Sequence, residues 1–244
     1  NYARIKSGGL LSVRSVSDAS GSLWVICDTP GGFPLTETSG WTESSVIERV
    51  IVPLSHVLHA YHEAGLTHRA IRPDNVFDSG GRTSVVLGPA LTSPPAYFQP
   101  ARFEALSSAI CDPAARGNGS IADDIFSLGA LAVWLLGGCV SYWNDPPDAL
   151  LTERFAQSSF AVLTEGLSLS QGIAPLLAAM LSDDPTARPL PRDLVNAGDH
   201  KGFVLRRPVT ATAPLQLGTD RAATAWAAVW FTHRHPPDFA KLLV

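Results

Sequence analysis

The chain has 244 residues, 45% of them apolar and 16% charged, which suits a core-forming protein and excludes disorder as the default state. A net charge of -4 and a pI near 5.9 supply no general attraction for nucleic acid or anionic lipid. The three cysteines, Cys27, Cys111 and Cys139, are odd in number and far apart, so they spell neither a disulfide framework nor a CxxC metal half-site, and a reducing cytoplasm fits best.

In chain order, the apolar runs Leu10 to Val16 and Leu23 to Cys27 flank the turn-rich stretch Ser17 to Ser22, which predicts two adjacent strands. Thr42 is placed to cap a helix that runs to about Ala64, bends at Pro53 and stops at Gly65. Leu66 to Asn75 reads as a shaped basic loop. Val76-Phe77 and Thr83 to Leu87 predict a short hairpin, and Pro89 to Pro100, with four prolines, a loop. Ala122 to Leu136 is apolar on nearly all sides after Asp123-Asp124, the pattern of a helix through the middle of a domain. Further helices are expected at Pro147 to Phe155, Ile173 to Leu181, Leu190 to Asn196, Thr219 to Thr232 and Pro237 to Leu243. The longest apolar run, Gly129 to Val140, is too short for roughly 30 Å of hydrocarbon at about 1.5 Å per residue. No signal-like segment opens the chain, so no membrane insertion is expected.

Four strings carry a resemblance. Tyr61-His62-Glu63-Ala64-Gly65-Leu66-Thr67-His68-Arg69-Ala70-Ile71-Arg72-Pro73-Asp74-Asn75 is similar to the end of a helix followed by the H-R-D-L-K-P-x-N loop of protein kinases. Asp124-Ile125-Phe126-Ser127-Leu128-Gly129 resembles D-x-[YF]-S-L-G at the start of the kinase central helix. Leu181 to Pro189 resembles the late D-P-x-x-R-P element, and Leu23 to Gly32 the strand and hinge between the two kinase lobes. The resemblance implies an α+β, protein-kinase-like fold: a reduced N-lobe and hinge over 1–33, a mainly helical C-lobe over 34–199, and a helical extension over 200–244.

Phosphoryl transfer needs one carboxylate to orient the acceptor hydroxyl and another to hold magnesium against the phosphates. Ala70 stands where the first belongs. Thirteen residues after Asn75, where D-F-G is expected, the chain reads Leu87-Gly88-Pro89-Ala90, and no acid lies between Asp78 and Glu104. Neither a GxGxxG string nor a V-A-I-K-like lysine is present. The catalytic positions Ala70, Gly88 and Pro89 are thus degenerate, with His68, Arg69, Arg72 and Asn75 left from the loop. Asn75 alone would bind magnesium weakly, so no cofactor and no metal are expected.

The A-P-E element reads Gln99-Pro100-Ala101, which deprives Arg188 of its usual glutamate and requires another acceptor. The resemblance further implies that Asp124 accepts backbone N-H bonds around His68 and Arg69, and gives Gly129 and Arg188 structural roles. His68 is expected to be a packed histidine and Arg69 a surface-paired arginine. His56, His59 and His62 each turn about 60° from the last on a helix, so they are expected on a solvated face and not around one ion. Asp74 and Asp78 suit local turns, Asn118-Gly119-Ser120 is a glycosylation sequon read here as the approach to the buried helix, and Trp24, Trp134, Trp143, Trp226 and Trp230 are expected in packed positions.

The function implied is that of a bacterial serine/threonine-kinase-like pseudokinase, a cytoplasmic scaffold or allosteric regulator. It would bind a protein partner through the reduced N-terminal edge or the Pro94 to Phe98 loop, with a homodimer through that edge a further expectation. The alternative is an atypical serine/threonine protein kinase or ATP-binding switch completed by an upstream N-lobe.

Overall fold

The computed structural model describes residues 5, 7–19, 22–78, 80, 85–138 and 147–195. The expectations for Cys139, Trp143, Asn196, Trp226, Trp230, the two last helices and the 200–244 extension lie outside the described residues. Among the described residues the architecture is mixed α+β, with helices dominating and two small antiparallel sheets.

Strands β1 (Val13–Ala19) and β2 (Ser22–Cys27) form the first sheet, with Val16 opposite Val25 and Ser17 opposite Trp24. The stretch expected to be a turn, Ser17 to Ser22, is instead largely strand, because the ladder continues through Asp18–Leu23 to Ala19–Ser22. Trp24 is not packed: it is 61% exposed, with Val16 and Ile26 also exposed, since a two-stranded sheet leaves apolar side chains open to solvent unless another layer covers them. The second sheet has the order β3 (Phe33–Pro34), β4 (Val76–Asp78), β5 (Val86–Leu87). Strand β3 was not expected, and it straddles the boundary drawn at residue 33, pairing Phe33 with Asp78. Its two-residue length and Pro34 suit an edge. Along the far edge of β5, Leu87 N–H donates to Gly9 O and Leu11 N–H to Leu87 O, both at 2.8 Å, which ties the start of the chain to the body.

The helix expected from Thr42 forms in three parts: α1 (Glu43–Val46), a π-helical turn (Ile47–Ile51) and α2 (Val52–Glu63). Thr42 and Ser45 exchange a reciprocal pair of backbone-to-side-chain bonds at the start. The wide turn comes just before Pro53. Proline has no N–H for Arg49 O, and that carbonyl accepts from Val85 N–H at 3.1 Å instead, so the helical defect becomes a joint to the strand region. At the other end Gly65 adopts φ +66°, Gly65 N–H reaches His62 O and Leu66 N–H reaches Tyr61 O, a Schellman stop that turns the chain into the basic loop.

Helix α4 (Ile121–Leu135) runs through the core and is buried from Asp124 through Val133. It packs against α2 and against α7 (Ala174–Met180), and α8 (Pro191–Val195) packs on α2. Gly129 sits where α4 meets α7: a Cβ there would lie 2.9 Å from Met180 Cβ and 3.3 Å from Leu181. The short helices α3 (Leu106–Ala109), α5 (Pro147–Ala156) and α6 (Ser159–Leu163) cover one end. Among the described residues, no helix is long and apolar enough to cross a membrane.

Candidate functional site

The loop after α2 is shaped by a carboxylate far away in sequence. Helix α4 is capped by Ser120, whose N–H donates to Asp123 at 2.7 Å, and the next residue, Asp124, is fully buried. Its two oxygens accept His68 N–H at 2.7 Å and Arg69 N–H at 2.6 Å. Two successive N–H groups converge on one carboxylate because Arg69 adopts φ +58°, in the left-handed region. Burial pushes the Asp124 carboxyl up to about 7, while those two N–H bonds and the Arg69 charge pull it down.

His68 is buried edge-on against Tyr61, with ring centroids 5.2 Å apart. Burial lowers its pKa to about 4, so the ring is neutral at physiological pH. Nε2–H donates to Gly88 O at 2.9 Å and Nδ1 accepts from Ala70 N–H, which joins the loop to the segment after β5.

Asn75, Ala70, Gly88 and Pro89 meet here. Asn75 Nδ2 donates to Ala70 O at 2.8 Å and lies 3.4 Å from Pro89 O, and Gly88 N–H donates to Asn75 O at 2.8 Å. A Cβ on Gly88 would overlap Asn75 Oδ1 and come within 2.9 Å of Asn75 Cγ and 3.0 Å of Asn75 O. The Asn75 side chain therefore occupies the space that a side chain at 88 would need. Ala70 is itself buried. The acids nearest in sequence are engaged elsewhere: Asp74 pairs with Arg72 at 2.9 Å, and Asp78 takes Arg49 Nη2 at 2.6 Å and Gly80 N–H at 2.9 Å.

Arg69 is not a surface residue. Its side chain is 0% exposed and is held by Glu104, by Ser108 Oγ at 2.7 Å and by Asp123 at 3.2 Å. The reason is the backbone: the left-handed turn that serves Asp124 sends the guanidinium inward, beneath the 101–108 segment. Burial raises the Glu104 carboxyl and the Arg69 charge lowers it. Arg188 finds its substitute acceptors in Ser182 O at 2.8 Å, Ala122 O at 3.0 Å and Asp123 Oδ1 at 3.4 Å. Arg154 donates to Ser159 Oγ and to the carbonyls of Ala101 and Glu104, each at 2.9 Å. The guanidinium carbons of Arg154 and Arg188 lie 5.0 and 5.2 Å from the centroid of the Phe126 ring.

Sequence reasoning missed Glu104, Asp123 and Arg154. Glu104 carried one usable signal, as the first acid after Asp78. Arg154 carried none. His56 and His62 are exposed and His59 is half-buried, and among the described residues no three His, Cys, Asp or Glu side chains are grouped to hold a metal. No protein-family model matches the chain.

Proposed function

We propose that the chain is a degenerate protein-kinase-like domain, a pseudokinase, that acts as a cytoplasmic scaffold or allosteric regulator without phosphoryl transfer. The observation that carries this reading is the seating of Asn75 against Gly88. A metal-binding carboxylate at position 88 would need a Cβ, and that volume is filled by the amide that should be its co-ligand. The residues present do not fit a magnesium-nucleotide site: Ala70 offers only a carbonyl, already bonded to Asn75, and the acids nearest in sequence, Asp74 and Asp78, are paired with Arg72 and Arg49. What the loop retains is its shape, through Asp124, His68 and Arg69.

A protein partner is supported by two exposed apolar groups. One is Trp24 and Ile26 on one face of the first hairpin, with Val16 exposed on the other, the edge at which a homodimer is expected. The other is Leu91, Tyr97 and Phe98. The latter are held outward by a firmly seated backbone, since Arg116 donates to Ala96 O at 3.0 Å and to Gln99 O at 2.6 Å while Gln99 Nε2 donates to Ile71 O at 2.8 Å.

Titration with ATP and magnesium or manganese is expected to leave the melting temperature unchanged. A saturable rise would sink the reading. Placing aspartates at both degenerate positions, Ala70→Asp with Gly88→Asp, is expected to produce no transfer of radiolabelled phosphate to protein. The milder Gly88→Ala should lower the unfolding free energy by about 1–3 kcal/mol in urea melts, because Asn75 must move.

A further inference from the structure

We propose that Asn118–Gly119 is a self-modifying site, at which the Gly119 backbone nitrogen attacks the Asn118 carboxamide and Asn118 becomes aspartate and isoaspartate. Among the asparagines of the sequence, Asn118 is the one followed by glycine. Both residues are exposed and lie outside helix and strand. Gly119 has no Cβ to shield its nitrogen and adopts φ +64°.

The attacking species is the peptide nitrogen after loss of its proton, and its negative charge is shared with the carbonyl oxygen of residue 118. That oxygen accepts a 2.6 Å hydrogen bond from Thr67 Oγ1. The Arg69 guanidinium and the Asp123 carboxylate paired with it lie against Gly119: a Cβ there would overlap Arg69 Nη1 and fall 2.9 Å from Asp123 Oδ2. With the guanidinium's charge already met by Glu104 and Asp123, the preorganised donor on the developing oxyanion is the Thr67 hydroxyl, of the kind that lowers the barrier to an anionic intermediate. Its geometry is imposed from elsewhere: the grip of Asp124 on His68 and Arg69 places Thr67 and the guanidinium where they are.

In the first step a bond forms between Gly119 N and Asn118 Cγ, the carboxamide C–N bond breaks, and ammonia leaves with the peptide proton, giving a succinimide. Solvent water then adds to either ring carbonyl and opens the ring to aspartate or isoaspartate. The isoaspartate product inserts a methylene into the main chain between 118 and 119, at the contact with Thr67 and Arg69. It thereby loosens the link between the basic loop and the start of α4.

The test follows the folded protein at mildly alkaline pH by peptide mapping, scoring the replacement of NH2 by OH at 118 and the isoaspartate content. Expected is faster conversion in the folded chain than in the same chain unfolded in urea. Thr67→Val should slow conversion on the order of tenfold, less than the roughly hundredfold or more for a donor in a water-excluded oxyanion hole because this bond is exposed, while Thr67→Ser keeps the rate and Asn118→Gln abolishes the signal. Conversion no faster in the folded than in the unfolded chain, or an unchanged rate in Thr67→Val, overturns the proposal. The folded-to-unfolded comparison decides even if Thr67→Val fails to fold.

Discussion

Arg69→Ala is expected to lower the unfolding free energy by about 3–5 kcal/mol in urea melts at neutral pH, because it leaves the buried Glu104 carboxylate without its cation. Against a total of about 5–15 kcal/mol for a domain, the loss is a large part of the stability. Both partners are 0% exposed, and Arg69 also holds Ser108 and Asp123, so one deletion removes a contact from three groups on two segments. Removing both charges tests whether the cost is the pair's net worth or the stranding of one ion. Arg69→Met with Glu104→Leu should recover much of the stability lost in Arg69→Ala, since hydrophobic replacement of a buried pair is often neutral. If the double variant is no more stable than Arg69→Ala, the loss belongs to the shape of the loop and not to an unpaired charge.

The second large effect is a pair of opposite pH slopes. The His68 pKa falls from 6.5 to about 4 on folding. The unfolded chain therefore binds a proton that the folded chain refuses, and the stability His68 contributes above 6.5 is lost as pH falls toward 4. The Asp124 pKa rises from 3.8 to about 7. The folded chain keeps a proton that the unfolded chain has released, and stability is lost as pH rises from 3.8 to 7. Across the window from about 4 to 6.5 the two contributions cancel in the parent protein. In His68→Leu the Asp124 contribution stands alone, and stability relative to the parent should fall with rising pH. In Asp124→Asn the His68 contribution stands alone, and relative stability should rise with pH. Each slope approaches about 1.4 kcal/mol per pH unit, the value for one proton. Urea melts at several pH values read both. Slopes of the same sign would mean that the two groups do not titrate in opposition.

Much of the local structure is legible without coordinates because it depends on neighbours in the chain. Thr42 caps its helix through Ser45, three residues away, and Gly65 ends it because it can take φ +66°. The apolar run after Asp124 reads as a buried helix since no face of it offers water a polar surface, and α4 lies in the core. Other features depend on long-range pairing and carry faint signals. Strand β3 is two residues long and exists because β4 offers it an edge. The π-helical turn before Pro53 is stabilised by Val85, which supplies the N–H that Arg49 O lacks. Trp24 looks like a core residue by type and is exposed because nothing among the described residues covers its face of the hairpin.

Residue identity is read from the sequence without folding: no carboxylate stands at Ala70 or Gly88, and none between Asp78 and Glu104. The partners of the residues present were settled only in the folded chain. Asn75 fills the space beside Gly88, Arg69 turns inward to Glu104, and Arg188 settles on Asp123 and two carbonyls. Which buried charge meets which depends on where α4 and the 101–108 segment bring their backbones. Coulombic and hydrogen-bonding partners are chosen by distance in space, and separation along the chain does not encode it.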